Sequence, residues 1–136
     1  MDDVREFSRK TFMAGALFAG IGVALGAFGA HGLKHHLTVE MTGIFETAVR
    51  YQMYHAFGLM VTALAATYFG TQNFKRFRIA GWSFGVGIVL FSGSLYLLSM
   101  TSLRWFGAVT PLGGLAFLVG WGALIVALFR KDDTGR

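Results

Sequence analysis

The sequence predicts an all-α integral membrane protein, a bundle of four transmembrane helices with both termini in the cytoplasm. Three observations predict it. The 136 residues are 54% hydrophobic and only 14% charged, whereas soluble domains carry about a quarter charged residues. Four segments are apolar over the roughly 20 residues that a helix needs to cross a bilayer. The lysines and arginines are distributed unevenly between the connecting segments. We expect one membrane domain over residues 1–136.

The first two predicted spans cover residues 11–30 and 51–69. The first (TFMAGALFAGIGVALGAFGA) carries no charge. It is longer than the apolar region of a signal peptide, which runs to about 15 residues, so we expect it to remain as a helix. The second (YQMYHAFGLMVTALAATYF) contains one histidine, His55, and follows a charged segment. An ionisable residue inside a span marks a functional hypothesis.

The last two predicted spans cover residues 79–100 and 111–129, and neither carries a charge. For the fourth, Thr110 is a suitable N-cap and Pro111 suits the first helical position. The alternative is a helix that begins near Trp105 and is kinked at Pro111. Buried helices of a soluble protein would show a polar stripe along one face. Three of the four spans have none, which favours lipid surroundings.

Composition excludes several classes of site. The chain has no cysteine, which excludes disulfides, thiolate zinc sites, iron–sulfur clusters and a thiol nucleophile. Its net charge is +5, and the basic residues stand in short tracts beside apolar runs. This placement favours anionic lipid headgroups over nucleic acid as the partner of the basic residues.

The positions of lysine and arginine predict the orientation. One side of a four-span protein receives nine of them: Arg5, Arg9, Lys10, Lys75, Arg76, Arg78, Arg130, Lys131 and Arg136. The other side receives three: Lys34, Arg50 and Arg104. Because cytoplasmic loops carry the excess of positive charge, both termini are expected in the cytoplasm. We expect a multi-pass protein of the inner (plasma) membrane.

Small residues recur at the spacing of close helix contacts. Gly22 and Gly26 form a GxxxG pair in the first span, and Gly81 and Gly85 form another in the third. Such faces let two backbones approach closely. The same faces would also suit a homo-oligomer, because a GxxxG face can receive a helix of a second copy.

Polar residues concentrate between residues 31 and 55. Glu46 and Arg50 have i,i+4 spacing and are expected to form an ion pair. His55 lies on a roughly opposite face of the same helix. Because polar groups in lipid need partners, we expect contacts to the first span through His31, and to the third or fourth through Ser92, Ser94 or Tyr96. The predicted intramembrane polar cluster is His31, Glu46, Arg50, Tyr51, Gln52, His55 and Tyr96.

A metal site is a weaker interpretation of the same histidines. His31 and His35 have i,i+4 spacing, and His55 is the further candidate ligand. However, Gly32 is expected to interrupt the helix between them. No metalloprotease, phosphate-binding or nucleophile-elbow motif is present in the sequence. We therefore expect no catalytic residues and no cofactor.

The sequence resembles a known family at four places. The strings GAFGAHGL (26–33), FETAVRYQMYHAFGL (45–59), FSGSLYLL (91–98) and TPLGGLAFLVGW (110–121) are similar to small bacterial membrane proteins of domain-of-unknown-function family 423. Animal transmembrane protein 256 is similar to this family. The resemblance implies an inner-membrane protein of about four helices and supplies no activity. It singles out His31, Glu46, Tyr51, Gln52, His55, Gly93, Tyr96, Pro111, Gly113 and Gly114, and so adds Gly93, Gly113 and Gly114 to the predicted packing glycines.

The leading functional hypothesis is a non-enzymatic membrane protein whose polar cluster stabilises the bundle and docks a partner. The expected partners are the lipid bilayer and either another membrane protein or a second copy, and not nucleic acid. One alternative is a small channel or carrier in which His55, Glu46 and Arg50 line a polar path. Another is a histidine-based metal-binding protein or membrane enzyme.

Overall fold

Every regular element of the computed structural model, which describes residues 1–129, is helical. The elements in chain order are α1 (Asp2–Phe28), a π-helical turn (Gly29–Leu33), α2 (Val39–Gly87), a second π-helical turn (Ile88–Ser92), α3 (Gly93–Thr101), a 3₁₀ turn (Arg104–Ala108) and α4 (Thr110–Phe129). The all-α prediction is confirmed for these residues. The basic tail, residues 130–136, lies outside the described part.

Three helical stretches in the described residues are long and apolar enough to cross a membrane. They are Asp2–Leu33, Val39–Thr101 and Arg104–Phe129. Large apolar side chains are exposed on their outer faces, such as Leu17 on the first and Leu118 on the last. In a membrane these faces meet lipid, whereas on a monomer in water so much contiguous apolar surface would be unusual.

The middle stretch, 63 residues long, folds back on itself at Asn73. This residue has non-helical backbone angles, φ −117° and ψ 20°. In a straight helix Gly58 and Phe84 would be about 39 Å apart at 1.5 Å per residue. Instead, the Phe84 ring lies 3.4 Å from the position that a Cβ on Gly58 would occupy. The part before the break (39–72, the first arm of α2) therefore packs against the part after it (74–87, the second arm).

Helix α2 begins earlier than the predicted span that starts at residue 51. Thr38 is extended (φ −64°, ψ 161°), and its hydroxyl accepts a hydrogen bond from the Met41 N–H at 3.2 Å. This is the geometry of an N-cap. The charged residues that follow lower the local hydropathy without preventing the helix, so α2 extends 12 residues before the predicted span.

Helix α4 begins at Thr110, one residue before the predicted first helical position at Pro111, and a separate 3₁₀ turn precedes it. Pro111 is accommodated in the first turn, where a missing N–H costs nothing. The Thr110 hydroxyl bonds to the Ser94 hydroxyl at 2.7 Å. It therefore joins α3 to α4 instead of serving as the expected N-cap.

The apolar core lies between the two arms of α2 and α4. Its buried members are Leu59, Ala66, Phe77, Ala80, Phe84, Ile88, Phe117, Leu124 and Ala127. Those of the second arm recur every three or four residues, so one face of that arm is buried.

The start of α1, the break at Asn73 and the end of α4 share one end of the bundle. The rings of Phe7 and Phe74 meet edge to face with centroids 5.5 Å apart. Near the end of α4, Leu124 and Ala127 belong to the same buried cluster as Phe77. The opposite end carries the connections around residues 34–38 and 102–103.

The interhelical polar core as candidate functional site

Gln52 joins three helices. Its side chain is only 3% exposed. The amide Nε2 donates to the backbone carbonyl of Phe18 in α1 at 2.8 Å, and Oε1 accepts from the Tyr96 hydroxyl of α3 at 2.8 Å. Each end of the amide thus has the partner that its chemistry requires.

Gly22 makes room for this contact. A Cβ at this position would lie 2.7 Å from the Met53 sulfur and 3.5 Å from Gln52 Nε2. A side chain there would require the flexible Met53 side chain to move, while Gln52 Nε2 would stay at van der Waals distance. The glycine thus lets α1 lie close to the Gln52 and Met53 side chains.

His55 has partners for both ring nitrogens. Nδ1 lies 2.7 Å from the Tyr51 carbonyl, and Trp121 Nε1 of α4 lies 3.2 Å from His55 Nε2. A carbonyl only accepts and an indole N–H only donates, so the proton belongs on Nδ1 and Nε2 accepts. The geometry therefore describes a neutral imidazole, since a charged ring has no lone pair for the indole.

Aromatic rings enclose this imidazole. The Phe117 ring stacks on it with centroids 3.4 Å apart and planes 4° from parallel, and the Phe84 ring lies 5.7 Å away. His55 is 5% exposed. The imidazole is therefore enclosed by side chains of α4 and of the second arm of α2.

Two serines connect the helices further. Ser92 Oγ donates to the Ala48 carbonyl at 2.7 Å and is fully buried. Ser92 ends the second π-helical turn, and a π turn shifts the helix register by about one residue. Ser94 Oγ, two residues later, bonds to Thr110. The π turn thus lies between the part of the chain that contacts α2, at Ser92, and the part that contacts α4, at Ser94.

The rest of the predicted cluster lies at the surface. Glu46 and Arg50 are exposed and line a cleft of about 280 Å³ between α1 and α2, together with Gly26, Gly29, Ala30, Leu33, Leu37, Thr42, Phe45 and Val49. Tyr51 stacks on Phe91 with centroids 4.7 Å apart. The sequence placed these residues in one cluster with Gln52, but the structure separates the cleft from the buried bonds.

The expected Glu46–Arg50 ion pair is not formed. Among residues 1–129 the one ion pair is Glu6–Lys10, at 2.5 Å near the start of α1. The i,i+4 spacing does put Glu46 and Arg50 on one face, but an exposed pair gains at most about 1 kcal/mol. Such a gain does not hold two long side chains together.

The structure does not assemble the candidate metal ligands. His31 and His35 are exposed, and the nitrogens of His55 are both engaged. In the described residues no group of three or more His, Asp or Glu side chains could hold a metal ion. The helix is also not interrupted at Gly32, because it continues as the π turn Gly29–Leu33.

The predicted packing glycines differ in what they contact. A Cβ on Gly113 would lie 2.3 Å from the backbone nitrogen of Phe91, and one on Gly81 would lie 3.1 Å from the Phe7 ring. Gly26 and Gly114 have looser neighbours at 3.4 and 3.9 Å. A Cβ on Gly85 or Gly93 would meet nothing within 4 Å, so these two are not at a close contact.

Sequence reasoning missed three partners of the polar core and its packing. Trp121 and the Phe18 carbonyl complete the two buried bonds, while Gly87 receives the ring of Phe117. Gly120, whose spacing from Ala116 predicts a small-residue packing face, receives the ring of Phe84. A Cβ on Gly87 would lie 2.4 Å from Phe117, and one on Gly120 would lie 2.7 Å from Phe84. Only Trp121 gave a usable signal, because an indole N–H within an apolar span needs an acceptor.

The family model and the similar proteins found by comparison agree on one family. The family model described as "Protein of unknown function (DUF423)" matches residues 25–114. A UPF0382 membrane protein of Bacillus subtilis is 47% identical over 116 residues, which cover 85% of this chain and 93% of that protein. One of Staphylococcus haemolyticus is 45% identical over 85% of this chain and 92% of its own length. One of Haemophilus influenzae is 40% identical over 82% of this chain and 86% of its own length.

No solved structure matches the chain. The matched residues include Gln52, His55 and Tyr96 of the polar core. The resemblance seen in the sequence is therefore confirmed, and this chain belongs to the DUF423 family of membrane proteins.

Proposed function

We propose that the chain is a non-enzymatic, multi-pass protein of the inner (plasma) membrane whose buried polar bonds fix the bundle and whose exposed cleft docks a partner. One observation carries the proposal: the Gln52 amide is bonded at both ends within the protein. A buried amide whose donor and acceptor are both bonded to other helices is not free to bind a substrate. In the described residues Ser8 Oγ is the one buried side-chain polar atom without a partner.

We place four crossings in this architecture, with both termini in the cytoplasm. The reversal at Asn73 supports two crossings by the stretch Val39–Thr101. The start of α1 and the end of α4 lie at the same end of the bundle, which an even number of crossings requires. That end carries six basic residues of the described part: Arg5, Arg9, Lys10, Lys75, Arg76 and Arg78. An excess of positive charge is typical of the cytoplasmic side.

A channel or carrier would need polar groups along its whole length. The threonines in the cytoplasmic half bond to their own helix instead. Thr62 Oγ1 donates to the Gly58 carbonyl at 2.7 Å, and Thr67 Oγ1 donates to the Ala63 carbonyl at 3.0 Å. These bonds leave fewer groups to bind a passing solute and favour the structural role.

The cleft beside Glu46 and Arg50 is the docking surface that we propose. It presents one acid and one base that are not paired with each other. A membrane-protein partner with the complementary base and acid would satisfy both. A second copy meets this condition, because a two-fold axis brings Glu46 of one copy to Arg50 of the other.

Native mass spectrometry of the protein, extracted gently from its own membrane, tests this role. We expect a species heavier than the monomer that is lost in Glu46→Gln and in Arg50→Gln. Glu40→Gln is the matched control, because Glu40 is an exposed acid of the same helix that lies outside the cleft. A bare monomer from the wild-type membrane, or a heavier species that both cleft variants retain, would contradict the proposal.

A further inference from the structure

A second groove, of about 580 Å³, runs along the outside of the bundle between α1 and the second arm of α2. Its walls are the side chains of Phe7, Lys10, Thr11, Ala14 and Phe18 on α1, and of Gly81, Trp82, Gly85, Val86, Val89 and Leu90 opposite, with Leu59 as the floor. The lining is apolar except at Lys10 and Thr11. We propose that this groove binds one anionic phospholipid of the leaflet at the basic end of the bundle.

The length of the groove fits an acyl chain. From Lys10 to Phe18 the α1 wall rises about 12 Å at 1.5 Å per residue. Half of a hydrocarbon core about 30 Å thick is about 15 Å. With Lys10 at the interface, the groove therefore extends most of the way to the middle of the bilayer and lies within a single leaflet.

Glycine keeps the groove open. A Cβ at Gly85 would meet no atom within 4 Å, although the residue lines the groove. The GxxxG face of Gly81 and Gly85 thus contacts α1 only at Gly81, where Phe7 lies 3.1 Å from the position of a Cβ. The space over Gly85 is therefore open to a chain of methylene groups.

The charge at the mouth selects the headgroup. Lys10 is the one cation in the groove lining, and it is exposed. Lys10 also pairs with Glu6, but both side chains are more than half exposed, and such a pair is weak enough to exchange for a phosphate. A lysine at the mouth favours an anionic headgroup over a zwitterionic one.

Native mass spectrometry of delipidated protein in detergent tests the proposal. Phosphatidylglycerol and phosphatidylcholine with the same acyl chains are the two probes. We expect one tightly bound phosphatidylglycerol per chain and weaker binding of phosphatidylcholine. Lys10→Gln should weaken the binding of phosphatidylglycerol about fivefold, given the contribution of one basic residue near an anionic surface. Arg9→Gln is the matched control, because Arg9 lines a different surface, with Ser8 and Phe12.

A second pair of variants tests the binding of the acyl chain separately from the binding of the headgroup. Gly85→Leu should abolish tight binding of both lipids, because a leucine there would occupy the groove, and its Cβ would meet no protein atom within 4 Å. Gly122→Leu is its control, since a Cβ there also meets nothing within 4 Å and Gly122 lies outside the groove. Equal binding of the two lipids by the wild type, or unchanged binding by Gly85→Leu, would overturn the proposal. A second copy of the chain held at Gly85 in place of lipid would overturn it as well.

Discussion

At the scale of single residues, the polar core shows how a membrane protein tolerates groups that lipid does not. A glutamine amide without partners in hydrocarbon costs several kcal/mol. Gln52 avoids this cost because a backbone carbonyl and a hydroxyl come from two other helices. Its position is therefore coupled to the positions of α1 and α3.

Replacing Gln52 by leucine tests that coupling. The variant loses two bonds, which average about 0.6 kcal/mol each in membrane proteins, and leaves the Tyr96 hydroxyl without its partner. We expect the free energy of unfolding to fall by about 1–2 kcal/mol, measured in mixed detergent micelles. Gln72→Leu, at an exposed position near the break of α2, should change it little. Equal stability of the two variants would contradict the role of Gln52.

The tautomer of His55 gives a second prediction at this scale. Because Trp121 donates to Nε2, we expect ¹⁵N NMR of the imidazole to show a neutral ring with its proton on Nδ1. Trp121→Phe removes the donor and should shift the Nε2 resonance, whereas Trp82→Phe, at a 70% exposed indole, should not. The spectrum of His55→Asn identifies the resonance among the four histidines. A proton found on Nε2 would refute the assignment.

At the scale of helices, the cost of replacing a glycine depends on which atoms lie next to it. Gly113 faces the Phe91 backbone, which cannot move aside as a side chain can. We expect Gly113→Ala to lower the free energy of unfolding by about 1–3 kcal/mol, the usual cost of overpacking. Gly122→Ala is the control, because its Cβ enters open space and alanine favours the helix. If both variants unfolded alike, the close approach of α4 to Phe91 would be wrong.

The elements themselves were predictable because hydropathy reports them directly. The four apolar segments all lie in helices, and α4 begins within one residue of the predicted position at Pro111. Helix α2 extends to Val39, before the apolar span, because Thr38 caps a turn whose charged residues lack the apolar signal. Hydropathy measures affinity for lipid, whereas helix ends depend on caps.

Partners across helices were harder to predict than the residues that need them. Gln52 and His55 stand out in the sequence because they are polar within apolar surroundings. Their partners do not, since the Phe18 carbonyl is backbone and Trp121 is one of three tryptophans. The Glu46–Arg50 pair shows the converse, because correct spacing along one helix did not ensure a bond. Spacing fixes which residues share a face, but solvation decides whether they meet.

At the scale of the whole molecule, the proposed topology rests on the break at Asn73. A continuous helix over Val39–Thr101 would give an odd number of crossings and would separate the ends of the chain. The contact of Phe84 with Gly58 excludes a straight rod. It brings the α1 start and the α4 end together, which agrees with basic residues on one side.

Cysteine labelling tests four crossings with the N-terminus inside. The chain has no cysteine of its own, so each variant carries a single thiol. His36→Cys and Leu103→Cys lie in connections at the end opposite Asn73, and Gln72→Cys lies beside the break. All three positions are exposed. We expect a membrane-impermeant maleimide to label the first two in intact cells with the outer membrane opened, and to label Gln72→Cys only after the inner membrane is permeabilised.

Each arrangement gives a different labelling pattern. Four crossings with the opposite orientation would reverse the order, so that Gln72→Cys reacts first. A single crossing by Val39–Thr101 would place His36→Cys and Leu103→Cys on opposite sides of the membrane. Labelling of His36→Cys and Leu103→Cys from opposite sides would likewise exclude four crossings, because two connections at one end of the bundle must face the same compartment.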